Sequence, residues 1–371
     1  MNFTKTHINN ELHDIISLMN KLEKTKKCFI AMSGGVDSSV AAYLLVQQGY
    51  KCTGVYMKLF NDKEYNNKIK DIKIICQRLN IPLKIYDFRK QFKQKVIEIF
   101  ISDYKNGITP NPCIICNSEI KFGLFLDKAL KDGADLIATG HYAKIKFNKS
   151  KSIYSLYKGK DEQKDQSYFL YRLNQKQLSR TLFPLSNYNK VDVIGIAKKL
   201  NIINPQTKES QEICFLANTN LQKFLKKYIK VGKGKILNIK KQELGNHHGY
   251  FNYTIGQREG LGIGGGTPYY VIRINAKKNQ VIVAKGKNNK RLFRNKIQIN
   301  KINWIKGKNP KLPLKCKVSI RYNHKPVNAT FKKESNRYFT YFHTPQRAPT
   351  SGQSAVFYKG DKCLGGGIIM Y

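Results

Sequence analysis

Residues 27–49, KCFIAMSGGVDSSVAAYLLVQQG, decide the fold. The apolar run 27–32 reads as a short strand and stops at Ser33-Gly34-Gly35. Residues 37–48 then carry Val40, Tyr43, Leu44 and Gln47 at helical spacing and end at Gly49. A strand that turns through two glycines into a helix brings backbone close to a ligand and aims free N–H groups and a positive dipole end at an anion. Ser33, Ser38 and Ser39 add hydroxyl donors, and Asp37 is suited either to hold Mg2+ against phosphate oxygens or to cap the helix. No G-x-x-x-x-G-K-[ST] string occurs, so this is not a Walker loop.

Outward from this loop the alternation continues. Residues 52–59 and 83–88 read as strands and 66–80 as a helix, with Ile69, Ile72, Ile75, Cys76 and Leu79 in register. Residues 90–105 and 117–131 read as helices, and 134–140 as a strand that leads into a loop. Strands alternating with helices predict a parallel sheet covered on both faces, with ligands outside the carboxyl ends of its strands. After residue 218 the texture changes. A short helical piece (220–229) precedes glycine-rich turns and β-like runs. Residues 295–371 break into short strand candidates, as in a small all-β barrel or sandwich. The expected class is α/β: a nucleotide domain over 1–218, a small central domain over 219–288 and a β-barrel-like domain over 289–371.

The 371 residues hold 67 Lys+Arg against 24 Asp+Glu, a formal net charge of +43. Residues 219–371 contribute 32 basic and 4 acidic residues, net +28, and residues 1–218 contribute +15. With 56 lysines to 11 arginines, part of this excess reads as compositional drift. The one-sidedness of the last 153 residues points to a polyanion, most simply a nucleic acid. A chain 41% hydrophobic and 11% aromatic is no disordered basic tail. No apolar run reaches the ~18 residues needed to span a bilayer. The first residues, with Glu11, Asp14 and Glu23 and no Arg, lack the look of a signal or transit peptide, so a cytoplasmic protein is expected.

Eight cysteines in a chain of this size are no disulfide framework, and Cys28, Cys52 and Cys76 sit among apolar residues as small hydrophobes. Cys113, Cys116 and Cys214 differ. Cys113-x-x-Cys116 lies between prolines and a helix in "NGITPNPCIICNSEIKF" (106–122), and Cys214 lies in "KESQEICFL" (208–216). Further strings are "ATGHYA" (138–143), "KDQSYFLYRL" (164–173), "GYFNYTIGQREGLGIGGG" (249–266), "IRYNHKP" (320–326) and "SGQSAVFY" (351–358).

The phosphate loop resembles the pyrophosphate loop of the ATP pyrophosphatases. The ordered set of motifs, from about residue 26 to the C-terminus, resembles the tRNA-specific 2-thiouridylases of the MnmA type within that family. The resemblance implies a PP-loop, HUP-like domain and an ATP- and Mg2+-dependent 2-thiolation of the wobble uridine, position 34, of tRNA. The carbon-2 oxygen would be adenylated and then displaced by sulfur from a cysteine persulfide, releasing pyrophosphate and AMP. By the same resemblance Cys214 carries the persulfide and Cys116 is the second catalytic cysteine, nucleophile or resolving thiol, with a transient Cys116–Cys214 disulfide in the latter case. Ala31, Met32, Ser33, Gly34, Gly35, Val36, Asp37, Ser38, Met57 and Gly140 would bind ATP. Asn111, Pro112 and Cys113 would touch the target base. His141, Lys164, Asp165, Gln166, Arg321, Tyr322 and Gln353 would contact tRNA. The implied partners are the Lys, Glu and Gln tRNA isoacceptors and a cysteine desulfurase or sulfur-relay protein.

Cys116 opening a helix suits a lowered thiol pKa. Cys113 stands where many relatives carry Asp, either as a spare thiol or as a filler. An iron–sulfur cluster on Cys113, Cys116 and Cys214 is the alternative to free persulfide chemistry, and a zinc site a third reading that lacks an obvious fourth ligand. Another adenylating pyrophosphatase and an inactive RNA-binding relative are the competing functions. His141, after a strand and a glycine, favours function over a loop position. His247 and His248 read as structural, and Tyr168, Phe169 and Tyr171 as core. "GLGIGGG" (260–266) reads as turns that allow close approach of chains.

Overall fold

The computed structural model describes residues 26–201, 213–216, 219–264 and 266–370. The first layer is a five-stranded, wholly parallel sheet in the order β3-β2-β1-β4-β7. Its strands are β1 (Lys27–Ala31), β2 (Lys51–Lys58), β3 (Leu83–Asp87), β4 (Leu136–Ala138) and β7 (Thr181–Leu182). Side chains alternate across a strand, and both faces of β1 are buried. Cys28 and Ile30 join one core with Ala42, Leu45 and Ile72, and Phe29 joins the other with Phe92, Ile120, Phe122 and Phe125. The Val36–Gln47 and Tyr65–Arg78 helices supply the first core.

Two helical stretches supply the second. One runs through Arg89–Phe92, a π-wound turn Lys93–Ile97 and Glu98–Lys105. The other runs through Pro112–Ile115, a π-wound stretch Cys116–Leu124 and Phe125–Lys131. The helix expected from residue 117 therefore starts five residues earlier. Pro112 occupies its first turn, where a missing N–H costs nothing, and the Asn111 side chain accepts from the Cys113 N–H.

The central region is a four-stranded sheet, β10-β11-β8-β9, from β8 (Gly234–Leu237), β9 (Glu243–His247), β10 (Tyr269–Asn275) and β11 (Gln280–Lys285). Its core residues Leu225, Ile236, Tyr250, Val271 and Val281 close over Phe100 and Tyr104 of the first region. The last region is a closed antiparallel barrel of six strands: β12 (Phe293–Trp304), β13 (Leu314–Ser319), β14 (Val327–Glu334), β15 (Arg337–Arg347), β16 (Ser354–Lys359) and β17 (Lys362–Met370). β12 pairs with β17 to complete it. Ile299, Val318, Phe331, Phe357 and Ile369 fill its interior.

A hairpin of the first region, β5 (Ala143–Asn148) and β6 (Ile153–Lys158), extends the barrel sheet by pairing β6 with β17. Among the described residues no helix is long and apolar enough to cross a membrane.

Barrel closure brings β17 so close to β12 that glycines stand at the seam, Gly365 and Gly367 among them. Gly365 sits at φ +142°, and a Cβ there would lie 2.1 Å from the Asn303 carbonyl oxygen. Gly365→Ala is expected to destabilise the protein by about 1–3 kcal/mol, measured as a lower denaturant midpoint; an unchanged midpoint contradicts the closure geometry.

Candidate active site

At the carboxyl end of β1 the loop turns through Gly34, at φ +82°, a conformation that glycine adopts without the steric cost a Cβ brings. The loop's hydroxyls hold its own shape. The Ser33 N–H donates to Ser38 Oγ at 3.2 Å and the Gly35 N–H to Ser33 Oγ at 3.3 Å. The hydroxyls of Ser38 and Ser39 donate to the Gly35 carbonyl at 3.0 and 2.9 Å. Ala31 and Met32 lead in from the strand, with the Met32 N–H bonded to the Val55 carbonyl, and Val36 begins the helix. Met57, near the end of β2, is half-buried against the core.

Asp37, in the first turn, accepts from Lys190 Nζ at 2.7 Å and from the Tyr142 hydroxyl at 2.8 Å. Both bonds land on Oδ1, so Oδ2 is the oxygen suited to a divalent cation beside a triphosphate. The glycine cradle, the helix terminus and this carboxylate fit ATP with Mg2+.

The end of β4 packs directly on this turn. A Cβ on Gly140 would lie 2.8 Å from the Asp37 carbonyl carbon and 2.9 Å from the Ser38 nitrogen. His141 follows, buried between Phe122 and Phe183, with Nδ1 2.7 Å from the Thr139 hydroxyl. Burial, with the nearby Lys121 charge, holds its pKa well below the usual histidine value, so it is neutral. The Tyr142 N–H donates to Gln166 Oε1 at 3.1 Å. Asp165 accepts from the Ser167 hydroxyl at 2.7 Å and from the Ser167 and Gly159 N–H groups, and burial raises its pKa. Lys164 is half-buried, its N–H bonded to Asp161.

Cys113 is exposed in the first turn of its helix, and Cys116, one turn on, is buried. Residues three apart share a helix face. Cys214 is exposed and begins a short turn whose next residue, Phe215, is edge-on to Phe92 and Phe100. That aromatic anchor fixes the turn that carries Cys214 to the other helical stretch. The three thiols lie within electrostatic range of one another, and Cys214 also of Tyr56 at the carboxyl end of β2.

Desolvation pushes the Cys116 pKa up to about 12 and that of Cys214 to about 11, and raises that of Cys113. Because the helix starts at Pro112, the lowered pKa expected for Cys116 at a helix terminus does not arise: burial dominates. Among the described residues no three His, Cys, Asp or Glu side chains are gathered closely enough to hold a metal ion.

The barrel residues reach the same region. Arg321 is exposed and donates to the Arg347 and Ala348 carbonyls, and the Tyr322 ring lies 4.4 Å from that of Phe169. Gln353 Nε2 donates to the Thr109 carbonyl at 2.9 Å, two residues before Asn111.

Two participants escaped the sequence reading. Lys190 is 153 residues from Asp37, beyond any local pattern. Lys121 lies within electrostatic range of His141 and of Cys113, Cys116 and Cys214. It is five residues after Cys116, a spacing that shares no face in an α-helix. The π-wound stretch, with its i→i+5 bonding, brings the two round together.

Residues 26–218 match the family model described as the tRNA methyl transferase HUP domain. Residues 222–285 match its PRC-barrel domain, and 294–369 an aminomethyltransferase beta-barrel domain. The chain is 46% identical over 358 residues to the tRNA-specific 2-thiouridylase MnmA of Blochmanniella floridana, covering 93% of this chain and 96% of that one. It is 44% identical to the protein of the same name from Buchnera aphidicola, covering 94% and 98%. It is 39% identical to that of Geobacillus thermodenitrificans, covering 95% and 96%.

A thiol pushed up to about 11 is protonated at neutral pH, and its thiolate fraction grows as pH rises toward that value. Alkylation of Cys214 by iodoacetamide in the RNA-free protein is expected to accelerate about tenfold per pH unit from roughly pH 7 to 10. A plateau below pH 9 in peptide-mapped alkylation rates contradicts it.

Proposed function

The chain belongs to the tRNA-specific 2-thiouridylase family, and from that premise we propose that it replaces oxygen by sulfur at carbon 2 of the wobble uridine of tRNA, at the cost of ATP. One observation carries the reading. The phosphate loop and the cluster of Cys113, Cys116 and Cys214 belong to the carboxyl end of one parallel sheet, with Lys121 in electrostatic range of both the thiols and His141.

A carbonyl oxygen is a poor leaving group. In the proposed route the carbon-2 oxygen attacks the α-phosphorus of ATP and pyrophosphate leaves. Bound Mg2+ would neutralise charge on the departing phosphates. Gly34, Gly35 and the first turn of the Val36–Gln47 helix would hold the phosphates and Asp37 would hold the cation, while Lys190 and Tyr142 fix the Asp37 carboxylate. Gly140 keeps β4 tight against this turn, so the loop is built before substrate arrives.

The terminal sulfur of a Cys214 persulfide then attacks carbon 2 and AMP departs. With Cys116 as resolving thiol, its thiolate attacks Cys214 Sγ and breaks the S–S bond, releasing 2-thiouridine and leaving a Cys116–Cys214 disulfide that a thiol reductant reopens before the next turnover. A persulfide is a stronger acid than a thiol, so loading sulfur onto Cys214 creates an anion where the plain thiol stays protonated. Cys116 is the resolving or second nucleophilic thiol, and Lys121 offsets negative charge among the three. The thiols and the phosphate loop answer to thiolation, which needs an activated oxygen and a sulfur nucleophile. Methyl transfer, the word in the family models' descriptions, needs no adenylation.

Asn111, Pro112 and Cys113 border the target base. Lys164, Asp165, Gln166, Arg321 and Tyr322 line the approach of the anticodon arm, where the +28 of residues 219–371 attracts phosphates, while His141 is buried between Phe122 and Phe183 and the Gln353 amide is committed to the Thr109 carbonyl. The sulfur comes from a cysteine desulfurase, directly or by relay, and the substrates are the Lys, Glu and Gln isoacceptors.

The test is incubation with ATP, Mg2+, a desulfurase with cysteine, a thiol reductant and tRNA, followed by nucleoside analysis. The expected product is 2-thiouridine at position 34. Cys214→Ala is expected to abolish it while leaving the tRNA dissociation constant within about twofold, since a small uncharged thiol adds little to an electrostatic interface. Pyrophosphate release driven by a small molecule, with no thiolated nucleoside, sinks the reading. Thiolation only by protein loaded with iron and sulfide overturns the free-persulfide route.

A further inference from the structure

Residues 106–111 lie between two helical stretches and feed the cysteine helix. Both other regions close on this short segment. From the central region, the Tyr250 hydroxyl donates to the Lys105 carbonyl at 2.6 Å, and Thr254 Oγ1 lies 3.4 Å from Thr109 Oγ1. A Cβ on Gly107 would lie 3.3 Å from both Ile274 and Ala276.

The barrel contributes the turn between β15 and β16. The Thr109 N–H donates to the Ser351 carbonyl at 3.1 Å. Gln353 Nε2 donates to the Thr109 carbonyl at 2.9 Å and lies 3.4 Å from that of Pro110. Gly352, at φ +90°, is packed so tightly that a Cβ would lie 2.3 Å from Ile108 Cγ2 and 2.8 Å from the Thr109 carbonyl oxygen. The same turn is tied into the barrel, the Gly352 N–H donating to the Ile369 carbonyl and the Ile369 N–H to that of Gln353.

We propose that the turn Ser351–Gln353 is a latch by which the barrel positions the cysteine helix, and that Gln353 is a positioning residue for Cys113 and Cys116. Its amide donor is spent on the backbone that carries those cysteines. Two residues separate the Thr109 carbonyl from Asn111, whose side chain caps the helix at Cys113. RNA gripped by the barrel therefore presses on the same turn that sets the thiols. This rests on the thiolation reading, and its first readout needs no RNA.

Gln353→Met keeps the length and volume of the side chain and removes the donor. Gln353→Glu places an acceptor against two carbonyl oxygens. The expected result is a change of about three- to tenfold in the iodoacetamide alkylation rate of Cys113 in the RNA-free variants, with Cys316 as internal reference. With tRNA, kcat for thiolation is expected to fall while KM and the tRNA dissociation constant stay near those of the parent. Restoration of both readouts in Gln353→Lys, which again donates, supports the latch.

Unchanged Cys113 alkylation in both variants, folded by circular dichroism, overturns the proposal. So does a rise in the tRNA dissociation constant at unchanged kcat, the pattern of a plain RNA contact. If the parent protein thiolates no tRNA, the functional reading fails, and the alkylation rates still decide on the latch.

Discussion

The structure depends on the contact between the end of β4 and the first turn of the Val36–Gln47 helix. No side chain fits between Gly140 and the Asp37–Ser38 backbone, so two strand ends and one helix terminus meet at van der Waals distance. His141 turns inward between Phe122 and Phe183, and Tyr142 reaches back to Asp37. The phosphate loop, the carboxylate beside it and the neutral imidazole are thus placed by a single close approach of backbone to backbone. Glycine at that point is a geometric requirement of the site, not a flexible spacer.

The chemistry that follows lives in tension with burial. The protein packed around the thiols, Phe215 against Phe92 and Phe100 included, penalises thiolates, although Cys113 and Cys214 themselves keep exposed surface. Lys121 opposes that penalty without cancelling it: the Cys116 and Cys214 values stay at about 12 and about 11. In the proposed route such a site would keep its thiols quiet until sulfur is delivered. That suits chemistry in which a loose nucleophile would be wasted on the wrong electrophile.

Much of this was legible in the sequence where the signal is local. β1 could be read because both of its faces are buried, giving the run Cys28-Phe29-Ile30, and the phosphate loop because glycines and hydroxyls cluster in seven residues. The start of the cysteine helix was not, because proline reads equally as a breaker and as a first-turn residue, and the Asn111 cap decides between them. Lys121 was hidden by π winding, which no propensity announces. β7, two residues long, carries no periodicity. The barrel's strands were visible one by one, but the choice of barrel over sandwich rests on β12 meeting β17, about sixty residues apart in sequence. Lys190 and Gln353 act at separations of 153 and 244 residues, where only the fold brings partners together.

The β5–β6 hairpin has a consequence for biogenesis. β6 ends at Lys158, and its partners in β17 are Lys362 and Cys363, about two hundred residues further on. At ribosomal speeds of roughly 5–20 residues per second, that edge waits ten to forty seconds for its cover. A lone hairpin with an open edge invites pairing with another nascent chain. Lys144 and Lys146 on β5 and Lys158 on β6 put like charge on adjacent hairpins, so two copies repel during the interval before the barrel arrives.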